Sequence, residues 1–302
     1  MNAPDPVLSC SIGIFCHNEA GNIARLVRAV QTQRLRDTRI DEIIVVSSAS
    51  TDGTDDIVRR EMATEPRLKL ITQARREGKS AAINLFLAEA RSPILVIISG
   101  DVVPYPDTIE LLVSAFRDPN VGATGGKPVP VNDASMFMGY AVHLLWRLHH
   151  RMALISPKLG EMIAFRKVMD SIPRDSAVDE ASIEAIIREH GLGLQYIPKA
   201  MISNKGPTRL KDFIKQRRRI QNGHLWLQQK QAYKVASQDN GTLLKVVGQE
   251  ARDNPLDIPR LVAVLGIEFY ARLLGWADYR LRGKNPFAWD IAQSAKKQRQ
   301  DQ

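Results

Sequence analysis

Two cysteines are all that the 302 residues contain. Cys10 and Cys16 fall in or beside one apolar run, and two cysteines on one strand cannot easily bridge. A disulfide framework is therefore not expected, and a reducing compartment is. No stretch is apolar enough to cross a bilayer. The best candidate, residues 257–276, carries Arg260, Glu268 and Arg272, each costly at a bilayer centre. The opening Met1–Pro6 is polar, with Asp5 where a leader would be basic, so no secretory leader is expected. A G-x-G-x-x-G turn is missing after the first apolar run, which leads into FCHNEAGN, and this argues against a dinucleotide fold. Gly78-Lys79-Ser80 could end a phosphate-binding loop, but Gln73 stands at the required glycine and Arg75, Arg76 and Glu77 crowd the cradle. The histidines are not at metal-ligand spacing: His149 and His150 are helix neighbours that point apart, and His143 is expected to be a satisfied helix residue.

What is abundant is positive charge. The formal net charge is +9, which suits nucleic acid, anionic lipid or phosphorylated small molecules. Seven basic residues and one acid, Asp212, lie between Lys205 and Arg219, and the tail is basic again at Lys296, Lys297 and Arg299. No aromatics interleave the basic stretch and no nucleic-acid module is visible, so nucleic acid is not an expected partner. Ile258, Leu261, Val262, Leu265, Phe269, Leu273 and Trp276 form a stripe at helical spacing, with Arg260, Glu268 and Arg272 towards the other side. Such a helix either docks its stripe on the core or lies on a membrane interface; docking is the simpler expectation.

The first half alternates apolar runs with helical patterns. Residues 7–15, 42–46, 68–71 and 94–98 read as strands, and residues 19–33, 52–63 and 79–90 as helices between them. Near-continuous apolar strands joined by helices predict an α/β fold with a mostly parallel sheet. Residues 121–131, 162–166 and 193–197 continue as strands; 136–151, 179–190 and 210–229 as helices. Beyond about Lys230 the pattern is helical and amphipathic, which places a soft boundary there.

Ligands in such sheets bind beyond the carboxyl ends of the strands. Asp101 follows the run ILVIIS after one glycine, where one carboxylate helped by a diphosphate can hold a hard divalent ion; a turn aspartate is the other reading. Residues 47–54, SSASTDGT, put hydroxyls before a helix start, suited to a base or ribose, although Thr51 or Asp52 could simply cap that helix. Asp179-Glu180 opens a helix, either for dipole reasons or as a general base. On the helix from 210, positions 216, 219, 220 and 223 share a face, from which an arginine can offer its planar fork to phosphate.

Taken in order, these segments resemble a family 2 glycosyltransferase of the GT-A fold, from about Leu8 to about Gln229. His17-Asn18-Glu19 is similar to the family's opening aromatic-Asn-Glu, and SSASTDGT to its nucleotide loop, with Ser47, Ser48, Ser50 and Asp52 as donor contacts. Gly78-Lys79-Ser80-Ala81-Ala82-Ile83-Asn84 resembles its G-K-x-x-A-x-N helix start, with Lys79 and Asn84 on the donor. Ser99-Gly100-Asp101 stands at D-x-D, Glu161 begins an acceptor-side strand, Asp179-Glu180 stands at the acidic pair and Gln216 to Ile220 at Q-x-x-R-W.

The resemblance implies an inverting transfer of a single sugar from a nucleotide-diphospho-sugar to an acceptor hydroxyl. Asp101 would hold Mg2+ or Mn2+, with Gly100 beside it. Glu180 would be the base, assisted by Asp179, and Gln216 and Arg219 would face the diphosphate. The expected architecture is a mixed, mostly parallel GT-A sheet flanked by helices over residues 1–230, with an amphipathic helical region over 231–302. The expected acceptor is lipid-linked or a cell-envelope glycan precursor, and the expected location is cytoplasmic, peripheral on the inner face of an anionic membrane. Departures qualify this. Ser47 and Ser48 replace base-reading acids and Ser99 the first acid of D-x-D. Ile220 replaces the tryptophan of processive members, favouring a non-processive type, and the basic helix and amphipathic C-terminal region suit membrane association. The lost acids also leave open a catalytically degenerate GT-A-like binding or scaffolding protein.

Overall fold

The computed structural model describes residues 6–236 and 239–283. The first strand, β1 (Leu8–Cys16), and β4 (Ile94–Ser99) lie at the centre of an eight-stranded sheet, flanked by β2 (Thr38–Ser48) and β3 (Leu68–Gln73). All three pairings among these four strands are parallel. The other half is mixed. β7 (Met162–Arg166) runs antiparallel to β4, and β6 (Val121–Pro130) antiparallel to β7. β8 (Gly193–Asn204) runs parallel to β6, and β5 (Val103–Pro104) closes the edge antiparallel to β8. The order is β3-β2-β1-β4-β7-β6-β8-β5. A mostly parallel sheet buries both faces, which is why runs such as ILVII are continuously apolar.

Successive residues of the central strands serve opposite faces. Cys10, Ile12, Ile14, Ile43 and Val45 pack beneath α1 (Ile23–Gln31) and α4 (Thr108–Ser114). Phe15, Ile44 and Val46 pack with Phe86 of α3 (Lys79–Glu89) and Ile183 of α6 (Asp179–Glu189). Both cysteines are buried and free. The remaining helix on the first half is α2 (Thr54–Met62).

Three details differ from the sequence expectation. Helix α1 starts at Ile23 rather than residue 19, because the preceding backbone is engaged by another loop. Asn18 N–H donates to Ser50 Oγ, Glu19 N–H to Thr54 Oγ1 and Ala20 N–H to Asp52 Oδ2. The short β5 and α4 carried no pattern long enough to read, and β8 continues past Pro198 to Asn204.

A third apolar cluster joins α5 (Phe137–Ile155) to three later helices, α7 (Leu210–Gln231), α8 (Asn240–Asp253) and α9 (Ile258–Arg282), through Tyr140, Leu144, Phe213, Val246 and Val264. Helix α9 docks through Leu261 and Val264 together with two acids, while most of its apolar stripe stays outside. Glu268 is 6% exposed and Asp278 0%, while Val262 is 62% and Phe269 65% exposed. Glu268 accepts both nitrogens of a fork from Arg217, at 2.7 and 2.8 Å, and Arg272 Nε at 2.8 Å. Asp278 takes Arg218 and Arg282. The acids go inward because α7 presents two arginines there, and a buried charge is tolerated only when paired. Gly275 permits the close approach: a Cβ there would lie 2.6 Å from the Arg218 carbonyl oxygen. The basic tail at Lys296, Lys297 and Arg299 lies outside the described residues, as does the part of the 231–302 region beyond residue 283. Among the described residues no helix is long and apolar enough to cross a membrane.

Candidate active site

A cavity of about 800 Å³ opens beyond the carboxyl ends of β1, β2 and β4. Its sheet end is walled by His17, Glu19 and Ser48. His17 Nδ1 lies 2.6 Å from the Ser48 carbonyl oxygen, which ties the two strand ends together. The Ser48 hydroxyl is buried and has no hydrogen-bond partner among the described residues, so a polar ligand atom would satisfy it.

Asp101 stands in the wall just past β4. The chain reaches it through Gly100, whose N–H donates to the Phe15 carbonyl at 2.8 Å. A Cβ at Gly100 would come within 2.9 Å of Cys16 Cβ and 3.2 Å of that carbonyl oxygen, so only glycine fits. Facing Asp101 is Glu161, held at φ 40° in the left-handed region, where a non-glycine residue is uncommon. Burial, then the Asp101 and Glu180 carboxylates, push the Glu161 carboxyl up to about 7.

Helix α6 delivers the acidic pair through its first turn. Glu180 Oε1 accepts from Lys79 Nζ at 2.6 Å, and Asp179 Oδ2 lies 3.9 Å from the same ammonium. Asp179 also accepts from Ser80 Oγ at 2.5 Å. Burial opposes ionisation of Glu180, but the Lys79 ammonium outweighs it and holds the carboxyl below its ordinary range. Burial pushes Asp179 the other way, upwards. Lys79 is itself raised: burial works against its charge, and the two carboxylates prevail. The pair is thus divided: Glu180 keeps a quarter of its side chain exposed and faces the cavity ionised, while Asp179 is 5% exposed and anchored.

Six of the donor residues expected from sequence do not line the cavity. Asn18, Ser47, Ser50 and Asp52 form the lattice between the loops after β1 and β2: Thr51 N–H donates to Asn18 Oδ1, Ser47 Oγ to Ser50 Oγ, and Thr54 N–H to Asp52 Oδ1. Asn84 grips the loop before α6, exchanging hydrogen bonds with the Ile172 backbone at 2.8 and 2.9 Å. Gly100 likewise acts through its neighbours. The structure brings His17, Glu19, Ser48 and Lys79 to one wall with Asp101, Glu161 and Glu180, and Gln216 and Arg219 of α7 complete it opposite.

Sequence reasoning missed the rear of the cavity. Lys158, Glu184 and Glu268 line it along with Arg217 and Arg272. Burial lowers the Lys158 ammonium and raises the Glu184 carboxyl. Glu184 is fixed by Leu159 N–H at 2.6 Å and the Tyr233 hydroxyl at 2.9 Å. These residues come from separate elements; the sequence showed Arg217 only within the basic run, and Glu268 and Arg272 only as the charged side of an amphipathic helix. His143, as expected, is a satisfied helix residue, its Nε2 2.9 Å from the Asn132 carbonyl oxygen.

The donor set suits a hard cation. The Asp101 and Glu180 carboxylates help to raise the Glu161 carboxyl, and these three side chains offer the oxygen donors that such a cation prefers. Among the described residues no three His, Cys, Asp or Glu side chains form a ligand cluster, so one carboxylate would share the ion with a ligand diphosphate and water.

Comparison with known proteins gives the family and the fold. The model of the family described as Glycosyl transferase family 2 matches residues 11–184. Glycosyltransferase AglE of Haloferax volcanii is 29% identical over 126 residues, 42% of this chain and 40% of that protein. Glucosyl-3-phosphoglycerate synthase of Mycolicibacterium paratuberculosis is 30% identical over 163 residues, 46% and 48% of the two chains. The chain thus spans less than half the length of these curated relatives. Among solved structures, the mannosyltransferase PcManGT from Pyrobaculum calidifontis, in complex with GDP-Man and Mn2+, aligns with a TM-score of 0.59 at 24% identity, covering 94% of this chain and 84% of that one. At that identity the likeness speaks for the fold, which is GT-A.

Proposed function

Because the chain belongs to glycosyl transferase family 2, we propose that it transfers a single sugar, with inversion, from a nucleotide-diphospho-sugar to an acceptor hydroxyl. The observation that carries the reading is the convergence of Asp101, Glu161, Lys79 and Glu180 on one cavity at the strand ends. The ion pair between Lys79 and Glu180 spans 101 positions of sequence.

In this reading the nucleoside sits at the His17–Ser48 wall, where the unsatisfied Ser48 hydroxyl meets the base or ribose. Asp101 is the metal ligand, for Mg2+ or Mn2+, with Glu161 beside it; the neighbouring PcManGT holds Mn2+. When bound, the cation would neutralise the departing diphosphate. The ionised Glu180 takes the acceptor hydroxyl proton. As it does so, the acceptor oxygen bonds to the anomeric carbon from the face opposite the nucleotide. The bond from that carbon to the diphosphate oxygen breaks, and its electron pair leaves with the nucleotide. Asp179, held by Ser80, positions the first turn of α6 and sets Lys79 against Glu180. Gln216 and Arg219 steady the diphosphate.

The acceptor we assign is amphiphilic, a lipid-linked glycan precursor, at an anionic membrane surface on the cytoplasmic side. Beside the charged groups of its rear the cavity is also lined by Leu145, Trp146, Leu243, Leu265 and Phe269, which suits a chain attached to the reacting head. The serines at 47, 48 and 99, where the family carries acids, favour a second reading, a GT-A-like binding or scaffolding protein without turnover.

A thermal-shift screen of UDP-, GDP-, CMP- and dTDP-sugars, with and without Mn2+, tests the first against the second. A metal-dependent rise for one nucleotide, lost in Asp101→Ala, is expected. No rise with any donor, with or without metal, would leave the scaffolding reading.

A further inference from the structure

Helix α9 buries its two acids beside Leu261 and Val264 yet leaves a row of large apolar side chains outside. Val262, Phe269, Tyr270, Leu273 and Trp276 are each 48% or more exposed. Between Arg260 and Arg280 every exposed position of the helix is uncharged. The acids of that stretch, Glu268 and Asp278, are buried against α7, and Arg272 is drawn to Glu268 at 2.8 Å. A surface helix in water places these groups the other way, because apolar side chains lose hydration cost on burial and buried ions gain it. An arrangement that shields acids and presents a continuous apolar ridge fits an exterior that is not water.

The surroundings say which exterior. The ridge ends on cations, Arg260 at one end and Arg280 and Arg282 at the other, all exposed. Arg260 stacks over Tyr140 with its guanidinium carbon 5.7 Å from the ring centre. This places the ridge beside the start of α5, where Met136 is 64% and Phe137 39% exposed. Leu256, 95% exposed, extends the apolar surface. An apolar strip fringed by arginine matches the boundary between acyl chains and anionic headgroups. A second copy of the chain fits less well: seated antiparallel across a two-fold axis, its Arg280 and Arg282 end would meet Arg260, like charge against like.

The catalytic cavity reaches the same face. Leu265 and Phe269 of α9 and Leu243 of α8 line it, and Phe269 is at once cavity wall and exposed ridge. We propose that the outer face of α9 docks on an anionic lipid bilayer, with the cavity mouth at Phe269 turned towards the acyl chains. An amphiphilic acceptor then enters sideways, its head reaching Glu180 while its tail stays in the lipid. This entry route rests on the transfer reaction proposed above; the docking itself does not.

The test is sedimentation of the full chain with vesicles of phosphatidylcholine alone and mixed with phosphatidylglycerol, for wild type and for Val262→Asp/Leu273→Asp, neither of which touches the cavity. Wild type is expected to pellet with the anionic vesicles, less so at high salt. The double variant is expected to lose about tenfold or more of that partitioning while keeping the nucleotide-sugar thermal shift of wild type. As a milder probe, brominated lipid should quench wild-type tryptophan emission and quench Trp276→Phe distinctly less. Wild type left in the supernatant, or equal partitioning of the double variant, overturns the proposal. So does a dimer in solution that the same two substitutions dissociate without any vesicle binding. A nucleotide-sugar shift without vesicle binding would sink only the docking; vesicle binding without that shift would sink only the transfer reading.

Discussion

Replacing Glu268 by glutamine should loosen α9 and lower stability by an amount that vanishes in acid. Glu268 is 6% exposed and receives the Arg217 fork together with Arg272. Burial alone would raise its carboxyl, but the two guanidinium groups hold it down at about 2, against an ordinary 4.5. At about 1.4 kcal/mol per pH unit this corresponds to about 3 kcal/mol. The same size is expected when one partner of a buried pair is removed, roughly 3–5 kcal/mol. For a chain of this length 3 kcal/mol is about 5 °C in Tm. The sign follows from the lowered carboxyl. Its stabilisation is complete above about 4.5 and disappears as pH falls towards 2, where wild type also carries a neutral side chain. Equilibrium urea unfolding of wild type and Glu268→Gln from pH 7 down to 3 measures both effects, with amide exchange along α9 locating the loosened element. A difference below about 1 kcal/mol at pH 7, or one that fails to narrow in acid, would refute the buried ion pair as what holds α9.

Three further outcomes are expected. Glu180→Gln should lower kcat for sugar transfer by about 10²- to 10⁴-fold with the donor KM little changed, read by steady-state kinetics; near-normal turnover would move the base elsewhere. Ser48→Ala should leave Tm unchanged or slightly higher, because a buried hydroxyl without a partner adds nothing to stability. The same variant should shrink the nucleotide-sugar thermal shift, and an unaltered shift would remove Ser48 from the donor wall. Gly275→Ala should cost about 1–3 kcal/mol in urea unfolding, since its Cβ would press 2.6 Å from the Arg218 carbonyl; a neutral result would mean that α9 and α7 can part slightly without loss.

The parallel half of the sheet was legible because its signal is local. Runs such as EIIVV and ILVII are bounded by helical patterns, and burial on both faces demands just such unbroken apolarity. Asp101 could be placed for the same reason, as the first acid after a strand end. The order of His17-Asn18-Glu19, the 47–54 loop, Lys79 and Asp179-Glu180 was readable too. Their individual tasks were not. Asn18, Ser50 and Asp52 look like ligand groups in one dimension, yet their partners are backbone N–H groups 32 or 33 positions away. Two residues of β5 and seven of α4 are too few to show a period above chance.

Sequence alone therefore settled the layered α/β class, the strand ends where the cavity lies and the family resemblance, since each rests on residues close together along the chain. Folding decided which carboxylate faces the cavity ionised. Lys79 and Ser80 arrive from α3 to set Glu180 and Asp179 apart in ionisation, and nothing near position 180 foretells that. Folding also decided which way α9 faces. Its helical period was plain, but a period gives two faces and not their assignment. The arginine pair at 217 and 218, 51 and 60 positions before Glu268 and Asp278, drew the acids inward beside Leu261 and Val264 and left Val262, Phe269, Leu273 and Trp276 outside.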